Sequence, residues 1–282
     1  MKDYELVDSG EGRRLEKFGQ YLLDRPDPQI IWKKTLQKDD WLKADAFFER
    51  TSDDKGKWNV RTKIPEKWQI EQKNIKFWVK LSPFKHTGVF PEQVSQWNNI
   101  YENIKTAKRE VRVLNLFAYT GIASLFAAKA GGLVTHVDSS KPAISWANEN
   151  RILNNMQDAP IRWIVDDALS FTSREIRRNS LYDLIIMDPP VYGHGPKGEV
   201  WDFNKNFPEL LDNCKQMLSD KPIFVLVNAY AISSSSITLA NTLNDYFRGL
   251  GGTIQNGELT LREKSAGRLL STGIWASWSS NL

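Results

Sequence analysis

Residues that could bind a ligand follow five apolar stretches of the sequence, at the point where each stretch ends. The polar or acidic residues at these points are Asn115, Asp138, the pair Asp166 and Asp167, Asp188, and Asn228. A carboxylate after the second strand of a parallel sheet, about 20 residues beyond the turn that follows the first, can accept both hydrogen bonds of a ribose diol. The residue types and their spacing therefore indicate a nucleoside-binding site.

Strands and helices must alternate from residue 111 onward to place these residues together. The pattern predicts strands over residues 111–116, 133–138, 161–165, 182–187 and 223–227, with helices over 122–129, 141–154, 168–178, 207–218 and 232–248. Such alternation is typical of a parallel sheet covered by helices on both faces, with ligands at the carboxyl ends of the strands. Two further strand-like stretches, 252–262 and 271–278, are joined by a short turn, which suggests one antiparallel strand.

The turn after the first strand distinguishes between two classes of nucleoside cofactor. Residues 115–121 read Asn-Leu-Phe-Ala-Tyr-Thr-Gly, with one glycine and two aromatic residues. A dinucleotide oxidoreductase would need Gly-x-Gly-x-x-Gly here, so that the backbone can approach a pyrophosphate closely. The observed side chains would crowd a pyrophosphate, so a nucleoside with an amino-acid tail and no phosphate fits better.

The N-terminal residues differ from the rest in composition. Residues 1–85 contain 19 Lys and Arg against 15 Asp and Glu, and five of the 11 tryptophans. Short strand-like stretches predict a small, mainly β module ending near residue 85, with a short helix over residues 41–50. Two interpretations remain open: a nucleic-acid surface, or a small sheet domain with tryptophans in its core and lysines in solvent.

Several classes of protein are disfavoured by composition. The sequence lacks an apolar run of transmembrane length, and its first residues lack the apolar core of a signal peptide. The single cysteine, Cys214, excludes an internal disulfide and a multi-cysteine zinc site, and neither His86 nor His136 has a metal-ligand partner at useful spacing. We expect a cytoplasmic protein without a metal.

Four segments, taken in order, resemble the class I S-adenosylmethionine-dependent methyltransferases: residues 114–121, 137–140, 166–168 and 187–190. More narrowly, they are similar to the bacterial 23S rRNA methyltransferases that make 5-methylcytosine or 7-methylguanine. Those enzymes share the Asn-x-Phe-x-Tyr-Thr-Gly turn and an Asp-Pro-Pro-x-aromatic motif, and residues 85–93 resemble a further segment of theirs. The resemblance covers residues 82–230 well and is weak before residue 80.

The resemblance implies an α/β, Rossmann-like fold, with a seven-stranded, mostly parallel sheet that contains one antiparallel strand. A small, mainly β N-terminal module over residues 1–85, a candidate for RNA contact, would precede a methyltransferase domain over residues 86–282. The implied enzyme is an S-adenosylmethionine-dependent methyltransferase (EC 2.1.1.-) that acts on RNA.

The resemblance also implies S-adenosylmethionine as cofactor and a role for each matching residue. The methionine part would be held by Asn115, Phe117, Ala118, Tyr119, Thr120 and Gly121. The ribose and adenine would be held by Asp138, Ser139, Asp167 and Ala168. Thr87 and Gly88 would close over the cofactor, and Asp188 and Pro189 would face the methyl-transfer centre.

The chemistry of the acceptor follows from the same motif. Methyl transfer from a sulfonium needs alignment more than acid–base catalysis. A target amine could donate hydrogen bonds to the Asp188 carboxylate and the Pro189 carbonyl, while Tyr192 stacks on the base and Asn228 helps to position it. Cytosine C5 methylation needs a cysteine nucleophile, which family members carry where this chain reads Val-Asn-Ala-Tyr at residues 227–230.

Cys214 lies on a predicted helix among leucines and is predicted to be a core residue, so a base nitrogen, in rRNA or another RNA, is the favoured target. The glycine-rich residues 193–201 are predicted to form a substrate lid in a long loop. Two alternatives stay open: a methyltransferase of this fold acting on a protein or small molecule, and a catalytically idle module that binds the cofactor or RNA.

Overall fold

The computed structural model describes residues 1–51, 56–83 and 85–280, which form two compact units. The N-terminal unit comprises Met1–Val94 and Thr260–Leu270, and the C-terminal unit comprises Ser95–Leu259 and Ser271–Leu282. The sequence predicts a single boundary between residues 85 and 86, whereas the late segment Thr260–Leu270 groups with the N-terminal residues. The proposed domain limits stay a prediction.

The N-terminal unit is built mainly from strands, which confirms the predicted β-rich module. Its sheet has five strands in sequence order, and only the third and fourth are parallel. The elements are β1 (Tyr4–Gly10), β2 (Arg13–Phe18), β3 (Tyr21–Pro26), α1 (Lys38–Leu42), β4 (Ala46–Arg50), β5 (Gly56–Val60) and the separate hairpin β6 (Lys67–Gln72) with β7 (Ile75–Lys80).

The short helix predicted over residues 41–50 is wrong. Helix α1 ends at Leu42, and residues 46–50 form β4, which pairs with β3 on one side and β5 on the other. Ala46 and Phe48 are buried in this pairing. The strand forms because partners more distant in the chain satisfy its backbone and bury its side chains, and local propensity does not report on either.

Tryptophans contribute to the core of the N-terminal unit. Trp41 and Trp68 are buried, and their indole N–H groups donate to Asp8 Oδ2 (2.9 Å) and to the carbonyl of Phe18 (2.9 Å). Buried indole nitrogens need such acceptors. These two side chains therefore match the interpretation in which tryptophans stabilise a small sheet domain.

The C-terminal unit contains a seven-stranded sheet with the order β10-β9-β8-β11-β14-β16-β15. The elements after β7 are a short 3-10 turn (Pro91–Gln93), α2 (Val94–Thr106), β8 (Arg112–Leu116), α3 (Ile122–Lys129), β9 (Leu133–Asp138), α4 (Lys141–Leu153), β10 (Ile161–Val165), α5 (Ala168–Arg177), β11 (Leu184–Met187), β12 (Tyr192–His194), β13 (Val200–Asp202), α6 (Phe203–Gln216), β14 (Phe224–Ala229), α7 (Ser236–Phe247), β15 (Thr253–Arg262) and β16 (Leu269–Ser279).

The first five strands of this sheet are parallel, and β16 runs antiparallel to β14, as predicted. The strand order reverses between β8 and β11, which is the switch point where ligands bind in open α/β sheets. All four residues of β11 are buried, as a strand covered on both faces requires. The Rossmann-like fold class is confirmed.

Among residues 1–51, 56–83 and 85–280, helices long and apolar enough to cross a bilayer are absent. The same residues hold no group of three or more His, Cys, Asp or Glu side chains arranged to bind a metal ion.

Candidate functional site

The turn between β8 and α3 is held in an uncommon backbone conformation. Phe117 and Tyr119 have positive φ angles of 54° and 50°, and Gly121 has a φ of 79°. A Cβ atom at Gly121 would lie 2.9 Å from the Cβ of Ala147, so both the backbone angle and the space favour glycine. Non-glycine residues at positive φ cost about 1–2 kcal/mol each, and such strain is concentrated at ligand-binding sites.

Asp138, at the end of β9, holds this turn in place. Its Oδ2 accepts the backbone N–H of Tyr119 (2.8 Å), and its Oδ1 accepts the backbone N–H of Ser140 (2.8 Å). Burial raises the pKa of the carboxyl, and these two hydrogen bonds oppose that rise. Each carboxylate oxygen retains acceptor capacity, because an ionised carboxylate offers about four lone-pair sites. Asp138 can therefore hold the turn and still accept hydroxyl groups of a ligand.

Asn115, in β8, is linked to two residues that the sequence did not single out for function. Its amide donates to Ser124 Oγ (2.9 Å), which lies 3.0 Å from Nδ1 of His136. Burial lowers the pKa of His136 to about 3, so this side chain is neutral. Asn115 and His136 face each other on paired strands, a register that only the structure reveals.

The acids after β10 have different local roles. Asp167 caps α5, since its Oδ1 accepts the N–H of Ser170 (2.8 Å). Asp166 forms an ion pair with Arg174, and its Oδ1 accepts the N–H of Asp167 (3.0 Å). The N-cap role of Asp167 uses one carboxylate oxygen, so the other remains for a ligand.

A cleft opens where these strand ends meet. Its empty space is about 340 Å³, counting the solvent-filled mouth. Five of the predicted cofactor residues line it: Phe117, Asp138, Ser139, Asp167 and Ala168. The other predicted cofactor residues of β8 and the following turn do not line the cleft. Four of them are buried and one, Tyr119, is half-buried; the buried residues are Asn115, Ala118, Thr120 and Gly121.

Residues 193–201, predicted as a lid in a long loop, instead contain a hairpin. Strands β12 and β13 pair antiparallel, with Gly193 opposite Trp201. Trp201 is buried, its indole donates to the carbonyl of Pro190 (2.7 Å), and its ring packs on Phe117 at 4.8 Å between centroids. Gly193, His194 and Gly195 line the same cleft. The hairpin is therefore fixed to the first turn by Trp201.

The predicted acceptor-side residues follow β11 and β14. The backbone N–H of Asp188 donates to the carbonyl of Leu116 (3.4 Å), which places it beside the end of β8. Pro189 is buried, whereas Tyr192 is 57% exposed. Asn228 is buried, and its Oδ1 accepts from the Gln96 amide (2.7 Å), a partner on α2 that the sequence analysis missed.

Thr87 and Gly88 belong to the N-terminal unit. Both are buried, and the Thr87 hydroxyl lacks a hydrogen-bond partner within the described part of the chain. The segment before them is anchored through Arg25, which donates to the carbonyl of Lys85 (3.1 Å) and pairs with Glu16 at 2.6 Å.

Cys214 is fully buried within the core cluster of the C-terminal unit, on α6. Burial raises the pKa of its thiol, so the thiolate needed for nucleophilic attack is disfavoured.

Comparison with known proteins gives the family. The sequence profile of the S-adenosylmethionine-dependent methyltransferases matches residues 47–237, which is more than half of the chain. The chain belongs to this family. Its cofactor is accordingly S-adenosylmethionine, as the order of the strand-end motifs predicted.

A crystal structure of an S-adenosylmethionine-dependent methyltransferase from Agrobacterium tumefaciens is similar over almost the whole chain. The two share 42% sequence identity with a TM-score of 0.96, and the match covers 98% of this methyltransferase and 90% of that chain.

Two curated relatives are named as ribosomal RNA enzymes. Ribosomal RNA large subunit methyltransferase K/L of Hahella chejuensis is 32% identical over 160 residues, which is 55% of this chain and 21% of that protein. Ribosomal RNA large subunit methyltransferase K of Neisseria meningitidis is 25% identical over 233 residues, which is 78% of this chain and 63% of that protein. The methyltransferase thus spans about a fifth of the first relative and less than two thirds of the second.

Proposed function

We propose that this protein methylates a base nitrogen of RNA, with ribosomal RNA as the favoured substrate, and that it acts in the cytoplasm. The observation that carries the proposal is the cleft at the carboxyl ends of the strands, which Asp138 and Asp167 line together with Pro190 of the Asp-Pro-Pro motif after β11. The names of the curated relatives support RNA as the substrate class.

The residues of the cleft fit the cofactor. The Asp138 carboxylate has lone pairs left for the ribose hydroxyls, and Ser139 follows it directly. Asp167 has one oxygen that its cap does not use, which suits the exocyclic amine of adenine, and Ala168 lines the cleft beside it. Asn115 and residues 117–121 would hold the methionine part.

The cofactor, when bound, supplies an electrophilic methyl group on a sulfonium for in-line displacement. The residues of this chain align the acceptor nitrogen. The Asp188 carboxylate and the Pro189 carbonyl accept hydrogen bonds from the target amine, so that its lone pair faces the methyl carbon. Asp188 would accept the proton that the amine nitrogen loses when it takes up the methyl group, and would pass that proton to solvent. Alignment of this kind supplies most of the acceleration that such a reaction needs.

Tyr192 is proposed to stack on the target base, since its side chain is exposed beside the Asp-Pro-Pro motif. Asn228 is proposed to help to position the base through its amide, in a geometry set by Gln96. The burial of Cys214 favours a nitrogen over cytosine C5, because the C5 reaction needs a thiolate in contact with the base.

The proposal is tested with the Asp188→Asn variant and with rRNA from a strain that lacks the gene. We expect the variant to bind S-adenosylmethionine like the wild type in calorimetry and to lose methyl transfer to that rRNA. Mass spectrometry of the nucleosides should locate one base that is unmethylated in the deletion strain and regains its methyl group with purified enzyme. Turnover by Asp188→Asn would refute the assigned centre, and rRNA with unchanged nucleosides would favour a protein or small-molecule substrate.

A further inference from the structure

A second cleft lies at the opposite edge of the same sheet. Its empty space is about 1130 Å³, counting open solvent, and its lining includes Arg112, Arg151 and Arg162. Leu133 lines this cleft, and Asp138, at the other end of β9, lines the cofactor cleft. Six residues of strand separate the two sites by about 17 Å at 3.3 Å per residue.

The second cleft carries an excess of positive charge. Its lining holds three arginines and a single acid, Glu175. The Glu175 carboxylate is already shared, since it pairs with Arg178 (2.9 Å) and Arg162 (3.5 Å) and accepts the Tyr182 hydroxyl (2.8 Å). Arg162 therefore shares its acid, Arg112 pairs with Glu110 outside the lining, and Arg151 is without an acidic partner among the described residues.

Arg151 has the weakest set of partners of the three. Its Nη1 donates to the carbonyl of Gln157 at 3.3 Å, and its guanidinium lies 5.9 Å from the Trp163 ring centroid. Its Nε is buried and lacks a hydrogen-bond partner. Within residues 1–51, 56–83 and 85–280, the Arg151 guanidinium has no acidic partner in an ion pair. A guanidinium without an acidic partner, in a cleft with an excess of arginine, is suited to an anion with several acceptor oxygens.

We propose that this arginine cleft, formed by Arg112, Arg151 and Arg162, binds phosphate groups of the RNA substrate at the edge of the sheet opposite the cofactor cleft. The inference rests on the proposed RNA substrate and adds a second set of contacts, to the RNA phosphate backbone. Phosphate contacts by arginine position a nucleic acid without reading its sequence. Leu181, which also lines the cleft, is 37% exposed.

Arg112 allows a clean test. Its side chain is 59% exposed, and its acidic partner Glu110, 3.4 Å away, is 60% exposed. Substitution therefore leaves no buried group unpaired, and the backbone N–H of Arg112 still donates to Asp183 (2.8 Å). Arg248 is a matched control, because it is an exposed arginine that pairs with Asp245 at 2.8 Å.

The experiment measures the affinity of the full chain for a fluorescein-labelled single-stranded RNA 20-mer across a range of salt concentrations. Arg112→Gln should weaken RNA binding by about 3- to 10-fold, and Arg112→Glu should weaken it more. Both variants should lower the slope of log K against log salt concentration by about 1. Arg248→Gln should match the wild type. S-adenosylmethionine affinity, measured in parallel, should stay unchanged and so show that the variants are folded.

Two results would overturn the inference separately from the proposed function. RNA affinity and salt slope that do not change in either Arg112 variant, while the wild type binds and methylates RNA, would refute the arginine cleft alone. Calorimetric binding of inorganic tripolyphosphate that depends on Arg112, with unchanged RNA affinity, would assign the cleft to a free phosphorylated ligand. A wild-type protein that neither binds nor methylates RNA would refute both proposals.

Discussion

The backbone N–H of Tyr119 donates a 2.8 Å hydrogen bond to Oδ2 of Asp138, and so joins the turn after β8 to the end of β9. Tyr119 has a φ of 50°, a conformation that is costly without external support. The same carboxylate lines the cofactor cleft. Asp138 is therefore placed to shape the turn and to bind ribose, and its substitution should affect both.

Asp138→Asn should weaken S-adenosylmethionine binding by about 10- to 100-fold, because a hydrogen bond to a charged group is worth about 1.5–3 kcal/mol. The asparagine oxygen can accept a hydrogen bond from one of the two backbone N–H groups, of Tyr119 or Ser140. The asparagine NH₂ group then faces the other N–H, and two donors cannot form a hydrogen bond. Calorimetry measures the affinity. Asp212→Asn, an exposed acid on α6, is the control and should bind like the wild type. An affinity for Asp138→Asn that equals the wild-type value would remove Asp138 from the site.

The raised pKa of Asp138 predicts two opposite pH dependences. Cofactor affinity should fall as the pH is lowered through the raised pKa, because the protonated carboxyl loses acceptor capacity. The contribution of Asp138 to the free energy of unfolding should be fully present below its unfolded pKa, near 3.8, and be lost as pH rises through the folded value, because burial disfavours the charge. Calorimetry at several pH values tests the dependence of cofactor affinity, and thermal melts at the same pH values test the dependence of stability. Asp138→Asn should show neither of these two pH dependences.

Tyr192→Ala should lower kcat/KM for RNA by about 10- to 100-fold, since stacking on a base is worth about 1–3 kcal/mol. Tyr192→Phe keeps the ring and should retain most of the activity. Because the side chain is 57% exposed, melting temperatures and S-adenosylmethionine affinity should stay at wild-type values. Equal activity of the alanine and phenylalanine variants would show that the ring does not hold the base.

Gly121→Ala should destabilise the fold more than Gly198→Ala. Both glycines have positive φ, 79° and 89°, so the backbone strain of about 1–2 kcal/mol is common to the pair. Only at Gly121 would the new Cβ lie 2.9 Å from another carbon, that of Ala147, whereas the space around Gly198 is open. Urea unfolding should show an additional loss of about 1–3 kcal/mol at Gly121. Equal losses would mean that the turn can move away from α4.

Cys214→Ala should leave methyl transfer to RNA intact. The thiol is buried in the core and its pKa is raised, so we expect only a packing loss of about 1 kcal/mol. Radiolabelled methyl transfer and urea unfolding, measured on the same preparation, separate catalysis from stability. A folded variant that binds S-adenosylmethionine but transfers no methyl group would make the thiol a participant and reopen cytosine C5 as the target.

The order of the ligand-binding motifs could be predicted because it depends on local patterns. Apolar stretches and helical segments are visible in the sequence, and the carboxyl ends of parallel strands lie at one edge of the sheet. Phe117, Asp138 and Asp167 were therefore placed together correctly, and they line one cleft. The prediction of a helix over residues 41–50 was wrong because β4 depends on pairing with β3 and β5, which the local sequence does not encode.

The sequence by itself determined the fold class, the family and the order in which candidate residues reach the site, since each follows from local hydrophobic patterning and short motifs. The tertiary structure decided what those residues do to one another. It set Asp138 against the backbone of Tyr119, Asn115 against Ser124, and the Trp201 indole against the carbonyl of Pro190. It also brought residues 260–270 to the N-terminal unit, where Glu263 accepts the N–H of Ser9 (2.7 Å). These contacts join residues on different elements, so strand register and packing fix them, and neither can be read from the local sequence.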